Sequence, residues 1–339
     1  MAAKLDGPKL DGKVMVTGGA GYIGSHAVLA LLDAGYEVVV VDNLVTGFDW
    51  AVDPRAPLEV MDVAEPRVRD VIRAHDVRAI MHFAGSVVVP ESVTDPLKYY
   101  RNNTAASRAL IESAVAGGVP HFIFSSTAAT YGTPERVPIK ESDPTVPINP
   151  YGRSKLMTEA MLRDVAFAHP MNYGCLRYFN VAGADPAGRS GQSTQGATHL
   201  IKIAAEAACG KRGHVSVFGT DFPTRDGTGV RDYIHVSDLA AAHVAALELL
   251  VAEPARSHTL NCGYGRGFSV MEVLDAVDRV TNMKLDRRLE GRRAGDPAEL
   301  VADNGAILST ISWRPERDDL DTIVQDALAW ERRLGEMGR

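Results

Sequence analysis

The sequence is poor in cysteine, which excludes a disulfide framework. Its 339 residues include three cysteines, Cys175, Cys209 and Cys262, which lie far apart along the chain. No Cys-x-x-Cys pair is present, so the spacing typical of zinc sites and redox motifs is missing. A low, odd cysteine count is typical of proteins in a reducing cytoplasm. We therefore expect a cytoplasmic protein with buried free thiols and no metal.

Long apolar runs and excess positive charge are also missing. The longest apolar stretch, 240–252, is interrupted by His243 and Glu248 and is too short to cross a bilayer. Residues 1–11 carry frequent charges and no apolar segment, so we expect a flexible tail rather than a signal peptide. The net charge of −7 gives no electrostatic reason to bind nucleic acid or a membrane surface. A local arginine cluster remains compatible with a phosphate-bearing small molecule.

Short β-branched runs alternate with helical patterns in the first half of the chain. The runs cover 13–17, 37–41, 58–61, 79–83, 121–124 and 175–178, and the helical patterns include 26–34, 66–75 and 103–116. Continuous apolar strands between helices predict a parallel sheet covered on both faces. The right-handed crossover rule then favours an α/β, doubly wound (Rossmann) fold.

This rhythm changes after residue 180. Segments 183–196 and 219–229 are rich in Gly, Pro, Ser, Thr and Asp, and they read as long loops. A helical pattern at 238–250 and a strand-like run at 258–261 indicate a return to the sheet. We therefore expect a doubly wound domain over 12–180, with a return around 234–265. A smaller, interleaved α/β domain takes up the rest of 181–339.

A glycine-rich turn lies between the first predicted strand and the first predicted helix. Gly18, Gly21 and Gly24 permit a tight turn and let backbone N–H groups approach a pyrophosphate at a helix N-terminus. Asp42 ends the second predicted strand, 18 residues after Gly24. In dinucleotide-binding folds, an acidic residue at about this spacing binds the adenosine ribose hydroxyls. A carboxylate repels a 2′-phosphate, so we expect NAD rather than NADP. The alternative is a structural turn with a solvated aspartate.

Tyr151 is the one tyrosine of ten with a lysine four residues later, Lys155. Residues 156–167 have a helical pattern, and if this segment is a helix, residues 151 and 155 lie on one face, one turn apart. An ammonium beside a phenol lowers the pKa of the phenol, which then takes a proton from a sugar hydroxyl as hydride leaves the same carbon. An exposed Tyr–Lys pair without a catalytic role is the alternative.

Hydroxyl side chains follow the fifth predicted strand, at an edge where open α/β sheets bind ligands. Thr127 is positioned to share a hydrogen bond with Tyr151 and a substrate hydroxyl. For Ser125 and Ser126, capping of the next helix is an alternative role.

These motifs, in this order, resemble the extended short-chain dehydrogenase/reductase family, and within it the UDP-glucose 4-epimerases. The resemblance covers about residues 13–313. Its carrying segments are GGAGYIGSH at 18–26, DN at 42–43, HFAG at 82–85, ESV at 91–93, PLKYYRNN at 96–103, FSSTAATYG at 124–132, SKLMTE at 154–159, LRYFN at 176–180, FGTDFPTRDGTGVRDYIHVSDLA at 218–240 and GD at 295–296.

The resemblance implies a set of cofactor contacts. Tyr151 is implied as base and then acid, Lys155 as its electrostatic partner and a cofactor-ribose ligand, and Thr127 as the proton-relay hydroxyl. The implied NAD contacts, besides the three glycines, are Tyr22, Ile23, Asp42, Asn43, Leu44, Thr46, Gly47, Asp62, Val63, Phe83, Ala84, Gly85, Asn102 and Phe179.

The resemblance also implies a UDP-sugar site in the second domain. Its residues are Asn180, His199, Leu200, Val217, Phe218, Arg231, Arg293, Asp296 and Leu300. Three positions depart from the family pattern. Val87 stands where many members have a cofactor-binding Lys, His199 replaces a uridine-binding Asn, and Leu300 replaces a Tyr that limits pocket size. Leu300 leaves N-acetylated sugars open as substrates.

The implied activity is interconversion of UDP-glucose and UDP-galactose through a transient 4-keto sugar, without a metal, in a homodimer. Epimerases of other UDP-sugars, such as UDP-xylose or UDP-arabinose, are alternatives. A dehydratase is disfavoured, because Ala128 and Ala129 follow Thr127 where dehydratases carry an acidic pair. A nucleotide sensor without catalysis is disfavoured, because Tyr151 and Lys155 are both present.

Overall fold

The computed structural model describes residues 10–293 and 296–339, and its largest element is a seven-stranded sheet in which all strands are parallel. The expected tail at 1–11 lies almost entirely outside the described residues. In spatial order the strands are β10 (His258–Cys262), β6 (Asn172–Tyr178), β5 (His121–Thr127), β4 (Val77–His82), β1 (Lys13–Thr17), β2 (Val38–Asp42) and β3 (Leu58–Val60).

Helices cover both faces of this sheet. On one face α1 (Tyr22–Asp33) packs against α8 (Val236–Ala252), and Val14 and Val16 point into the core between them and the sheet. Met15, between those valines, points to the opposite face. There lie α2 (Val68–Ala74), α5 (Ala106–Ala116) and α6 (Pro150–Ala168). The prediction of an α/β, doubly wound fold is therefore confirmed.

The remaining strands form two smaller sheets, the larger of which contains strand β9 (Val230–His235). This strand pairs with β7 (Asn180–Ala182), β11 (Gly267–Ser269) and β13 (Glu299–Leu300), and β8 (Val215–Phe218) pairs separately with β12 (Arg287–Glu290). The other helices are α3 (Val89–Thr94), α4 (Pro96–Tyr99), α7 (Leu200–Ala208), α9 (Val270–Thr281), α10 (Gly305–Thr310) and α11 (Leu320–Glu336), with a π-helical segment at Tyr100–Ala105 and short 3₁₀ turns at Asp49–Ala51 and Ala128–Thr130.

Several boundaries differ from the sequence-based expectations, and two of these differences concern the catalytic residues. Strand β5 runs on to Thr127, because its last three residues stay in register with β6 up to Tyr178. Helix α6 begins at Pro150, well before the helical pattern at 156–167. The Asn149 side chain accepts the Gly152 N–H at 2.9 Å, and proline suits the first helical position.

None of the helices within residues 10–293 and 296–339 combines the length and apolar character that a bilayer crossing requires.

Candidate active site

The glycine-rich turn between β1 and α1 is built around contacts that admit no side chain. A Cβ on Gly24 would lie 2.1 Å from the Gly18 carbonyl oxygen, and one on Gly18 would lie 2.6 Å from the Ala84 nitrogen. Gly18 also has φ +72°, which glycine adopts without strain. Gly21 precedes α1 without a side-chain cap, so the first helical N–H groups, at Tyr22 and Ile23, are available to a phosphate. This cradle fits a dinucleotide pyrophosphate.

Asp42 is held rigidly at the end of β2. Its two carboxylate oxygens accept the N–H groups of Ala20 at 3.0 Å and Leu44 at 2.8 Å, and the residue is 6% exposed. Each oxygen keeps a lone pair for a ribose hydroxyl. The alternative of a solvated aspartate is wrong, because the carboxylate is buried and both of its oxygens accept backbone N–H groups.

The residues expected around the adenosine lie next to Asp42. The Asn43 amide donates to the Asp62 carboxylate at 3.1 Å, so the ends of β2 and β3 are joined there. Gly47 approaches Ala20 so closely that a Cβ would lie 2.9 Å from it, whereas Thr46 is exposed. Val63 points into the core, so an adenine contact at this position would use its backbone.

The segment after β4 lies over the turn. The Phe83 N–H donates to the Thr17 carbonyl at 2.9 Å, which places Ala84 against Gly18. A Cβ on Gly85 would meet the Asn103 amide oxygen at 2.9 Å.

Asn103 was not predicted from the sequence, although it holds this loop. Its side chain accepts the Ser86 N–H at 2.7 Å and donates to the Ser86 carbonyl and the Ser154 hydroxyl, each at 3.0 Å. It is 1% exposed, whereas the predicted Asn102 contacts the Ser86 hydroxyl at 3.1 Å. The neighbouring Val87 is half exposed. In the sequence, Asn102 and Asn103 are adjacent and both belong to the motif at 96–103. The sequence therefore does not indicate which of the two asparagines holds the loop.

Helix α6 and strand β5 bring the three expected catalytic residues together. Tyr151 lies in the first turn of α6 and Lys155 one turn later, and both are buried. The Lys155 ammonium donates to the Ser125 carbonyl at 3.0 Å and lies 4.9 Å from the centre of the Phe124 ring. Thr127 ends β5 and caps the following 3₁₀ turn by accepting the Ala129 N–H at 3.1 Å. Capping, an alternative raised for Ser125 and Ser126, is therefore performed by Thr127.

Burial controls the protonation of this pair. It raises the pKa of the Tyr151 phenol above its ordinary value, and the nearby Thr127 hydroxyl partly offsets the increase. It lowers the pKa of Lys155 to about 8. We expected the ammonium to lower the pKa of Tyr151. In the described structure the ammonium instead points to the Ser125 carbonyl, so desolvation dominates.

Strand β9 gathers part of the expected UDP-sugar residues. Asn180 on β7 lies opposite Tyr233, and Leu300 on β13 lies opposite Arg231. Leu300 packs against a small apolar cluster that contains Phe179. Leu300, expected to limit the size of the sugar pocket, therefore packs against the same cluster as Phe179, which is expected beside the nicotinamide.

Two arginines lie near aromatic or acidic partners. The Arg293 guanidinium carbon is 3.7 Å from the centre of the Phe218 ring, and Arg231 Nη2 is 3.9 Å from an Asp296 oxygen. Burial lowers the pKa of Arg231, whereas Arg293 is exposed. Phe218 is half-buried under Arg293 and does not belong to an apolar core.

Three expected substrate residues lie at the start of α7 and on β8. His199 precedes α7 and lines a cavity together with Tyr22. Leu200 is the first residue of α7 and is half-buried. Val217 is fully buried in an apolar core, so its side chain has no access to a ligand and only its backbone could contact one.

The fold and this site together define a dinucleotide-binding α/β protein with a tyrosine–lysine pair at the strand ends. Residues 14–263 match the model of the NAD dependent epimerase/dehydratase family. A UDP-glucose 4-epimerase of Azospirillum brasilense is 54% identical over 95% of this chain and 92% of that protein. A UDP-glucose 4-epimerase of Lacticaseibacillus casei is 46% identical over 94% and 96% of the two chains.

Solved structures agree with these similarities. A Stenotrophomonas maltophila UDP-glucose-4-epimerase with bound NAD and formylated UDP-arabinopyranose superposes with a TM-score of 0.93, at 38% identity and 96% and 99% coverage. A Bifidobacterium longum UDP-glucose 4-epimerase with NAD+ and UDP gives 0.91, at 37% identity and 95% and 98% coverage. This chain belongs to the NAD dependent epimerase/dehydratase family. The predictions of an enzyme and of NAD as cofactor are confirmed.

Replacement of Gly24 by alanine tests the pyrophosphate cradle. The new Cβ would overlap the Gly18 carbonyl, so we expect the NAD occupancy of NAD-loaded Gly24→Ala to be much lower than that of the wild type loaded in the same way. Absorbance of nucleotide released on denaturation measures occupancy. Gly213→Ala is the control, because a Cβ there meets no heavy atom within 4 Å. Wild-type occupancy in Gly24→Ala would contradict the assignment.

Replacement of Lys155 by methionine tests its buried charge. The pKa of Lys155 is about 8 in the folded chain and 10.5 ordinarily, so the unfolded state binds more protons between these values. The wild type should therefore gain stability as pH rises from 8 to 10.5. At pH 7 we expect Lys155→Met to be more stable than the wild type, because it buries no ammonium, and this difference in stability should shrink as pH rises. Urea denaturation of cofactor-free protein measures this. Lys284→Met, at an exposed lysine, is the control. A stability difference between the wild type and Lys155→Met that does not change with pH would contradict the lowered pKa of Lys155.

Proposed function

We propose that this enzyme interconverts UDP-glucose and UDP-galactose by oxidation at C4, rotation of the 4-keto sugar and reduction on the opposite face. The main observation in support of this proposal is that Tyr151 and Lys155 on α6 lie beside Thr127 at the end of β5. The names of the two relatives at 54% and 46% identity support the same substrate pair.

The chain's residues supply proton transfer and orientation in this mechanism. When bound, NAD supplies the acceptor that takes the C4 hydride and returns it. Tyr151 takes the proton of the 4-hydroxyl and later restores it, with Thr127 as relay. Its pKa is raised by burial, so the nearby positive charges must stabilise the phenolate when the site is loaded. The Lys155 ammonium, which lies one helical turn after Tyr151 and donates to the Ser125 carbonyl, supplies part of this charge in our proposal.

Anchoring at the UDP end leaves the sugar free to turn. We assign the diphosphate to Arg231 and Arg293, because guanidinium groups form paired hydrogen bonds with phosphate oxygens. Phe218, under Arg293, is suited to pack against uracil. Tight binding of UDP and weak contacts to the sugar would let the 4-keto ring present either face.

Leu300 supports acceptance of larger sugars as a second activity. It is smaller than the tyrosine that the family resemblance implies at this position, and its neighbours in the cluster are apolar. One solved neighbour, 45% identical with a TM-score of 0.83, is a UDP-Glc/GlcNAc 4-epimerase from Campylobacter jejuni. UDP-xylose and UDP-arabinose remain alternative substrates, and a non-catalytic NAD sensor is the alternative without turnover.

We further propose that residues 12–180, with a return around 234–265, form the NAD-binding unit, and that the rest of 181–339 binds the UDP-sugar.

We also propose a cytoplasmic homodimer. Leu97 on α4 and the Met157 and Phe167 side chains on α6 are 77%, 45% and 94% exposed. Because α4 packs beside α6, these apolar side chains support a helical interface between two copies.

Replacement of Tyr151 by phenylalanine tests the proposed base. Without the phenol oxygen, proton transfer from the 4-hydroxyl loses about 10²- to 10⁴-fold in rate, so we expect a kcat reduced by at least that order. Conversion of UDP-galactose to UDP-glucose by NAD-loaded protein is the measurement. Tyr36→Phe, at a half-buried tyrosine between α1 and β2, is the control and should retain wild-type turnover. Near-normal kcat in Tyr151→Phe would overturn the assignment.

Parallel assays with UDP-galactose, UDP-N-acetylgalactosamine and UDP-xylose test the substrate preference. We expect turnover of UDP-galactose, and turnover of the N-acetylated substrate that Leu300→Tyr selectively reduces, because the larger ring narrows the pocket. Leu300→Met, of similar volume, is the control. Turnover of UDP-xylose alone would replace the proposed substrate pair, and NAD retention without turnover of any substrate would favour the sensor.

A further inference from the structure

A buried ion pair lies directly beneath the proposed catalytic residues and has no part in the chemistry described so far. Glu159 on α6 and Arg177 on β6 are 1% and 5% exposed. Arg177 donates from Nε and Nη2 to the two Glu159 oxygens at 2.9 Å and 2.6 Å. This two-bond geometry fixes the direction of the contact as well as its length.

Further hydrogen bonds extend the pair across the sheet. The Ser126 hydroxyl of β5 donates to Glu159. On the other side Arg177 Nη1 donates to the Tyr131 hydroxyl at 2.9 Å, which donates to the Asn261 side-chain oxygen on β10 at 2.7 Å. One carboxylate on α6 is thus connected to three neighbouring strands, β5, β6 and β10.

These connections involve the neighbours of every proposed catalytic group. Glu159 lies one helical turn after Lys155 and two turns after Tyr151, so all three share the buried face of α6. Ser126 lies between Ser125, whose carbonyl accepts the Lys155 ammonium, and Thr127. A rotation or shift of α6 against β5 would change the distance between Tyr151 and Thr127.

Stability alone does not account for the pair. Removing two charges from water costs about as much as their attraction returns, so well-packed apolar residues of similar volume are often as stable. The orientation of a carboxylate with three donors, in contrast, is not reproduced by apolar packing.

We infer that Glu159 and Arg177 are positioning residues, which fix α6 against the ends of β5 and β6 so that Tyr151 faces Thr127 and Lys155 faces Ser125. This inference rests on the proposed roles of Tyr151 and Lys155. Neither Glu159 nor Arg177 touches substrate or cofactor in this proposal, and the UDP contacts lie on other elements. Their loss should therefore act on kcat more than on KM.

Three variants of the NAD-loaded protein test the inference with UDP-galactose as substrate. Because a misplacement of about 1 Å costs about 10²-fold in rate, we expect Glu159→Gln to lower kcat by about that factor with KM nearly unchanged. Asp164→Asn, an exposed carboxylate on the same helix, is the matched control and should keep wild-type kcat. The double variant Glu159→Leu/Arg177→Met should regain wild-type thermal stability and keep a low kcat. Recovery of kcat in the double variant would show a purely structural pair, and wild-type kcat in Glu159→Gln would also overturn the inference.

Hydrogen–deuterium exchange separates this inference from the proposed function, because it requires no turnover. In Glu159→Gln the amides of the first two turns of α6 and the end of β5 should exchange faster than in wild type and in Asp164→Asn. Unchanged exchange would overturn positioning. Absence of epimerase activity in the wild type, together with faster exchange in Glu159→Gln, would overturn the proposed function and leave the positioning role supported.

Discussion

The docking of α6 against the C-terminal ends of β5 and β6 is the contact on which the candidate site depends. It places one helical face, with Tyr151, Lys155 and Glu159, beside the hydroxyl run 125–127. The in-register pairing of β5 with β6 continues through those hydroxyls to Tyr178, so both strands end at the same level. Parallel strands open their carboxyl ends at one edge, and a binding site therefore forms there.

The cofactor cradle depends on a second constraint, the close approach of backbone to backbone. The turn after β1 packs against Ala84 and against its own helix at distances that leave no room for a Cβ. The same geometry points helical N–H groups toward the place of a pyrophosphate. One steric requirement thus explains both why glycine stands at 18 and 24 and why the turn suits a dinucleotide.

Burial and charge act in opposite directions in this site. Low dielectric surroundings raise the pKa of Tyr151 and lower that of Lys155, so both groups are driven toward their neutral forms. Proton transfer needs a phenolate, which is stable only when positive charge lies close to it. The chain supplies a buried ammonium, and the cofactor of the family is the natural source of the rest. This dependence would tie the acidity of Tyr151 to a loaded site.

The sequence by itself determined the fold class, the first six strands of the large sheet, the glycine turn with Asp42, and the Tyr151–Lys155 pair. These features are local, since strand periodicity, turn geometry and helical spacing are written within a few residues. Tertiary structure decided what depends on distant partners: the loop-holding role of Asn103, the burial of Val217, the direction of the Lys155 ammonium and the ion pair between Glu159 and Arg177. From sequence alone, a glutamate on a helix is expected to be exposed to solvent. Glu159 is buried because the fold packs α6 against β6, which brings Arg177, 18 residues later in the chain, into contact with its carboxylate.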